Sequence, residues 1–168
     1  LWPGLSQTFT RINYFNCATL PLGERIKYIL PHRQGLWDTG EIVFSLRRDK
    51  YDRLIIGSMG RIHGNSKSGI TKRWASAQLK RLLPALGPVE FENTWYGEIA
   101  MTPTHLPSVH QLDHNLYTSI GYNGRGITTG TIFGKALANM ISSSSPDALP
   151  LPVTQMSKVS TGPFMSTG

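Results

Sequence analysis

Apolar and polar positions along the 168-residue chain change period several times, and each change marks an element. Ile12 to Thr19 is a largely apolar run ended by Pro21, which predicts a strand. Arg25 to Leu30 is short and fits either helix or strand before Pro31. Ile42, Phe44 and Leu46 alternate with Val43, Ser45 and Arg47, which is strand periodicity with one more apolar face. Asp49-Lys50-Tyr51-Asp52 is a polar turn and Arg53 to Ser58 returns, so 41–58 is expected to be a hairpin. Gly60 to Gly69 reads as a loop.

Thr71 to Leu86 is the clearest helix. Trp74, Ala77, Leu79, Leu82 and Leu83 supply its apolar side, Thr71 is the expected N-cap, and Gly87-Pro88 is the expected stop. Val89 to Met101 predicts one long strand or two, broken by Thr102-Pro103 and Leu106-Pro107. Val109 to Leu112 predicts a short strand, and Asp113-His114-Asn115 a turn into the strand Leu116 to Ile120. A glycine-rich segment, Gly121 to Gly130, follows. A helix over 128–141 then places Ile132, Phe133, Ala136, Leu137, Met140 and Ile141 on one face. After the serine run 142–145, the tail from Leu149 lacks periodicity and is expected to drape over a surface or stay mobile. The pattern predicts an α+β fold with a mainly antiparallel sheet.

Composition narrows the function classes. One domain fits this length. Hydrophobic residues make up 39% and charged residues 16%, both low, which suits loop-rich β structure or a piece of something larger. The net charge of +7 raises nucleic-acid binding as a possibility. The basic residues are dispersed, however, with no run of four, so the surface is read as generally basic and no nucleic-acid partner is expected. Cys17 is the single cysteine, which precludes an internal disulfide; it is read as a buried structural thiol, and a cytoplasmic location is compatible with it. No secretory signal or apolar run of membrane-spanning length is seen, so no membrane partner is expected. The five histidines lack metal-ligand spacing, so no metal is expected, and no G-x-S-x-G occurs.

The sharpest chemical signal is strand, glycine turn, helix. That arrangement aims backbone N–H groups and a helix N-terminus at negative charge. Gly121, Gly124 and Gly126 would permit close approach of a ligand, or would simply allow a tight turn; spacing alone supports both. Arg48 shares the face of Phe44 by alternation, which makes it a candidate for a buried ion pair or for a substrate anion.

Gly121-Tyr122-Asn123-Gly124-Arg125-Gly126, followed by a helix, resembles the C-terminal flavin-contacting loop of the D-amino-acid-oxidase-like FAD-dependent oxidoreductases. Trp95-Tyr96-Gly97 through Met101-Thr102-Pro103-Thr104-His105-Leu106-Pro107 resembles that family's W-x-G … T-P-D-x-x-P stretch. Gly35 to Thr39, Arg47-Arg48-Asp49 and Leu54 to Gly57 resemble its substrate-domain hairpin. The pieces occur in the family's order and cover about residues 13 to 153.

The resemblance implies FAD as cofactor, an amine or amino acid as substrate, and hydride transfer from a C–N bond. It implies cofactor contacts at Gly121, Tyr122, Asn123, Gly124, Arg125, Gly126, Ile127 and Thr128, and substrate-cavity walls at Trp37, Phe44 and Trp95, with Arg48 beside them. The catalytic residue is left unassigned. Arg125 would add positive charge near the flavin or bridge to another domain. The family's G-x-G-x-x-G fingerprint for the FAD pyrophosphate is absent, and the chain starts at Leu1 without Met. The chain is therefore expected to be the C-terminal part of a longer flavoenzyme, inactive alone and lacking an N-terminal dinucleotide-binding domain.

Residues 1–112 are expected to be substrate-domain-like, 113–142 to face FAD, and 143–168 to form a tail. The face of 116–120 and 128–141 would then be uncovered and prone to self-association. Thr104 replaces a frequent Asp, and Gly124 stands where glycine-oxidase-like members carry a carboxylate-binding Arg. Both departures argue against a simple amino-acid substrate. The alternative from a different class is a stand-alone basic β-rich module that binds an anion through its glycine loop.

Overall fold

The computed structural model describes residues 2–40, 43–62, 69–143 and 149–156. Positions 41 and 42 of the expected hairpin, most of the 60–69 loop, and the tail beyond 156 lie outside the described residues. Two compact units are present: Asn13–Glu98, and Leu1–Ile12 together with Ile99–Gly168.

The first unit holds most of a five-stranded sheet. Its strands are β1 (Thr10–Thr19), β2 (Leu36–Trp37), β3 (Phe44–Arg48), β4 (Leu54–Met59) and β5 (Phe91–Met101), in the order β2-β3-β4-β1-β5. β3 and β4 pair antiparallel with Leu46 opposite Ile56, and β4 pairs antiparallel with β1, with Ile56 opposite Cys17. β-branched and aromatic residues in β1 suit a pleated, half-buried surface. Phe44, Leu46, Leu54, Ile56, Phe15 and Cys17 share one core with Ala75 and Leu79 of helix α1 (Ile70–Leu82). The ambiguous segment after Pro21 becomes a 3-10 turn, Gly23–Ile26, whose Ile26 is fully buried in the same core.

Helix α1 departs from the sequence reading in three ways. Its N-cap is Gly69, and Thr71 lies inside the first turn, buried. The helix stops at Leu82 rather than at Gly87, because Pro84 cannot donate and forces Leu83 out of the helical region, to φ −132° and ψ 63°. A separate 3-10 turn, Pro84–Leu86, then covers the core with Leu86. Ala75 is buried, whereas Ala77 is exposed. The inward face also carries Lys72, 8% exposed, whose Nζ donates to the Phe91 carbonyl at 3.0 Å. The polar tip thus finds an acceptor while the stem adds to the packing.

The second unit contains the antiparallel hairpin β6 (Ser108–Asp113) and β7 (Leu116–Ile120), turned at Asn115 with φ 58°. Helix α2 (Gly126–Ser143) packs against β7. Phe133, Ala136 and Met140 are buried, but Ile132 and Ile141, expected on the same face, are 55% and 58% exposed. The tail follows the draping expectation over the described stretch. Val153 makes a parallel bridge to Val109, and the Thr154 N–H donates to the Val109 carbonyl at 2.8 Å.

Candidate functional site

The glycine loop is a tight turn with a defined chirality. The Arg125 N–H donates to the Tyr122 carbonyl at 2.9 Å, and the two central residues, Asn123 and Gly124, have φ 53° and 83°. Positive φ at both central positions is the type I′ signature, for which Asn-Gly is the favoured pair. Gly121, at φ 77°, precedes the turn. A β-carbon there would lie 2.3 Å from Cγ2 of Thr102, so only glycine fits.

Asn123 is the centre of a local network. Its Oδ1 accepts from the Thr102 backbone N–H at 2.8 Å. Its Nδ2 donates to the Gly121 carbonyl and, at 3.3 Å, to Thr102 Oγ1. The Thr102 hydroxyl donates onward to the Leu106 carbonyl at 2.7 Å, and Thr102 is 6% exposed. The Thr-Pro turn and the glycine loop are therefore one hydrogen-bonded piece within the second unit.

Helix α2 begins at Gly126, two residues earlier than the sequence reading, so Gly126 and Ile127 belong to its first turn. The Thr129 N–H donates to the Arg125 carbonyl at 3.3 Å. The N–H groups of Gly126, Ile127 and Thr128 precede that bond and have no intrahelical acceptor. Ile127 is 92% exposed, and the Gly124, Arg125, Gly126 and Thr128 positions are exposed as well. The surface so presented is backbone N–H groups and the positive end of an 18-residue helix, which suits an anionic or electron-rich group. The Tyr122 side chain turns the other way. Its ring lies 6.1 Å from that of Phe133, its hydroxyl pairs with Ser119 Oγ, and Gly126 and Gly130 leave room for it on the helix.

The four residues read as substrate contacts are not assembled in the same manner. Trp37 pairs with Ser45 across β2–β3, which puts it on the face opposite Phe44 and Leu46. Trp37 is 71% exposed, while Phe44 is buried in the core. Arg48 has its guanidinium engaged: Nε and Nη2 donate to Asp52 Oδ1 at 3.0 and 2.6 Å, and Nη1 donates to the Ile26 carbonyl at 3.3 Å. Of the two roles open to Arg48, the ion pair is the one formed. Trp95 stands on the edge strand β5, 41% exposed. Among the described residues no ring contact joins Trp37, Phe44 and Trp95. Thr102 carried no role in the sequence reading. A Thr before Pro, which favours a turn, and the Asn-Gly pair were the signals that could have linked it to the loop.

The family model for DAO, the FAD dependent oxidoreductases, matches residues 4–140. The chain belongs to this family. Members of the DAO family use FAD. The chain is 25% identical over 113 residues to the gamma-glutamylputrescine oxidoreductase of Escherichia coli strain K12, a match that covers 67% of this chain and 26% of that protein. Its fold is similar to that of glycine oxidase from Bacillus cereus, with a TM-score of 0.59 and 18% identity over 82% of this chain. It is likewise similar to L-proline dehydrogenase from P. horikoshii, with a TM-score of 0.60 and 18% identity over 86%. In both cases the chain spans 38% of the solved structure. The loop suits the DAO cofactor: a left-handed backbone turn with no side chain at Gly124, and a helix N-terminus beside it, can approach a flat, polar-edged ring closely.

Proposed function

We propose that this chain is the C-terminal portion of a flavoenzyme that oxidises the C–N bond of an amine or amino acid, and that it is inactive without a dinucleotide-binding domain. The observation that supports this best is the family match across the hairpin sheet and the glycine loop together. In this reading the backbone of Gly121 to Thr128 holds the flavin edge. Bound FAD supplies a two-electron acceptor that takes hydride from the substrate carbon. The N–H groups of Gly126, Ile127 and Thr128 and the α2 N-terminus meet the negative charge of the reduced cofactor. Arg125, exposed and without a salt bridge among the described residues, adds positive charge there.

Tyr122 acts through its backbone, because its side chain packs on α2. Trp37 and Trp95 are the exposed candidates for substrate contact, while Phe44 and Arg48 act by holding the β3–β4 hairpin of the sheet whose two edge strands carry those tryptophans. A three-part division at 112 and 142 describes the roles of these segments in the longer enzyme, and a cytoplasmic location is part of the same reading. Among the described residues no helix is long and apolar enough to cross a membrane.

The test is production of the chain in its full natural reading frame, followed by flavin absorbance and turnover with a panel of primary and secondary amines and amino acids. Copurified flavin that is bleached anaerobically by an amine supports the reading. A full-length protein that takes up no FAD, or whose FAD no amine reduces, overturns it. Replacing Arg125 by Ala is expected to lower the flavin reduction potential, because a cation beside the ring favours the anionic reduced form. Potentiometric titration of the variant against the parent checks this.

A further inference from the structure

We propose that Thr102 and Asn123 form a latch that positions the flavin-facing backbone, with the Asn123 side chain committed to the protein rather than to the cofactor. The inference rests on the flavin reading above and adds to it a positioning pair. Each polar atom of the Asn123 amide is engaged inside the second unit. Oδ1 accepts from the Thr102 N–H at 2.8 Å, and Nδ2 donates to the Gly121 carbonyl and to Thr102 Oγ1. Thr102 is buried, and its hydroxyl is fixed by the Leu106 carbonyl at 2.7 Å. The Thr102 carbonyl in turn accepts the His105 N–H at 3.1 Å, so the Thr-Pro segment is itself a closed turn.

The latch joins two segments 21 residues apart in sequence. At its loop end it grips the first central residue of the type I′ turn, whose φ of 53° an Asn tolerates better than most residues do. Gly121 brings the loop against the Thr102 methyl closely enough to exclude any β-carbon. Side-chain bonds on one side and steric contact on the other set where the next backbone groups point. Those groups are the Arg125 N–H, bound to Tyr122, and the N–H groups that open α2 without an intrahelical acceptor. Thr102 and Asn123 are therefore positioning residues: they touch the loop, and the loop touches the cofactor.

The test uses the full-length protein and the Asn123→Gly and Thr102→Ser variants. Glycine keeps the positive φ and the turn while removing the latch; serine keeps both the backbone donor and the hydroxyl. Amide hydrogen exchange over 121–129 reads the loop directly, without cofactor. FAD affinity and the flavin reduction potential read its consequence. Asn123→Gly is expected to speed exchange at Arg125 and along the first turn of α2, to weaken FAD binding about tenfold, and to shift the potential; Thr102→Ser, which keeps the hydrogen bonds but gives up the methyl contact with Gly121, should lose less affinity than Asn123→Gly. Unchanged exchange and unchanged FAD affinity in Asn123→Gly overturn the latch while leaving the flavin reading intact. Faster exchange in Asn123→Gly, with a parent protein that binds no FAD, would keep the latch as a loop restraint and overturn its positioning of flavin. A thermal midpoint of Asn123→Gly close to that of the parent, with FAD affinity still reduced, separates positioning from a loss of folding.

Discussion

At Gly121 two restrictions coincide, a φ of 77° and a missing β-carbon that would sit 2.3 Å from a buried methyl. Gly121→Ala is therefore expected to cost about 2–4 kcal/mol, combining left-handed strain with overpacking. At Gly124 only the first restriction applies, since a β-carbon there would meet Ile99 at an ordinary 3.5 Å. Gly124→Ala should cost roughly 1–2 kcal/mol. Urea denaturation of the two variants beside the parent checks the order. Under the proposed function, Gly124→Val in the protein's full natural reading frame should impair flavin binding more than folding, because its exposed branched side chain stands where a ligand would approach. Cys17 belongs to the same scale. Burial pushes its thiol up to about 11 even though Lys72 pulls in the opposite direction. It should stay unmodified by a disulfide reagent at neutral pH and react at once after unfolding; rapid native labelling would contradict its burial.

The turn between β3 and β4 is an element held by charge. Asp49 accepts from the Tyr51 and Arg53 N–H groups at 2.9 and 3.1 Å and from Arg53 Nε at 2.8 Å, and Arg53 also reaches Glu92 at 3.0 Å. Burial alone would raise the Asp49 carboxyl, but these hydrogen bonds outweigh it and hold the group below its ordinary value. Its stabilising contribution is thus complete above about pH 4, the unfolded value, and is lost as pH falls through the lowered folded one. Melting temperatures of the parent should drop more steeply between pH 5 and 2, roughly this acid window, than those of Asp49→Asn. The packed face of α1 predicts a different response. Leu79 is 1% exposed within the core, and Leu79→Ala is expected to cost about 2–4 kcal/mol independently of pH.

At the scale of the whole molecule, exposed apolar side chains occur in both units, and four of them stand on the strand–helix pair that flanks the glycine loop. Ile127, Ile132 and Ile141 of α2 and Leu116 of β7 are 92%, 55%, 58% and 40% exposed, all in the unit that carries the glycine loop. Single exposed apolar residues are ordinary, and along α2 Ile127 and Ile141 flank the buried Phe133, Ala136 and Met140 stripe on one side and Ile132 on the other, which suits the proposed reading, in which this strand–helix pair packs against a further domain. The chain on its own is expected to associate reversibly, and Ile132→Lys with Ile141→Lys should reduce that association. Sedimentation velocity over a range of concentration measures it. A parent chain that stays monomeric throughout would count against a covered face.

Local pattern determined much of this protein. Alternation around Phe44, Leu46, Leu54 and Ile56 defined the hairpin because a period of two admits one buried face. Three- and four-residue spacing around Leu79 and Phe133 located both helices, and the order of short motifs disclosed the family. Element ends were less legible, since they turn on single backbone events. Pro84 ended α1 before the glycine expected to stop it, and α2 started at Gly126 once the Asn-Gly turn had closed. Tertiary structure alone determined partnership. Alternation put Arg48 on the face of Phe44, but only the fold gave its guanidinium to Asp52 and Ile26. Trp37 and Phe44 are close in sequence yet stand on opposite faces, a consequence of the β2–β3 register. The bond from Thr102 to Asn123 spans residues with no periodic relation, so no local pattern encodes it. A sequence carries the periodicity of each element in its own neighbours, whereas long-range hydrogen bonds exist only after the chain has brought distant donors and acceptors within about 3 Å of one another.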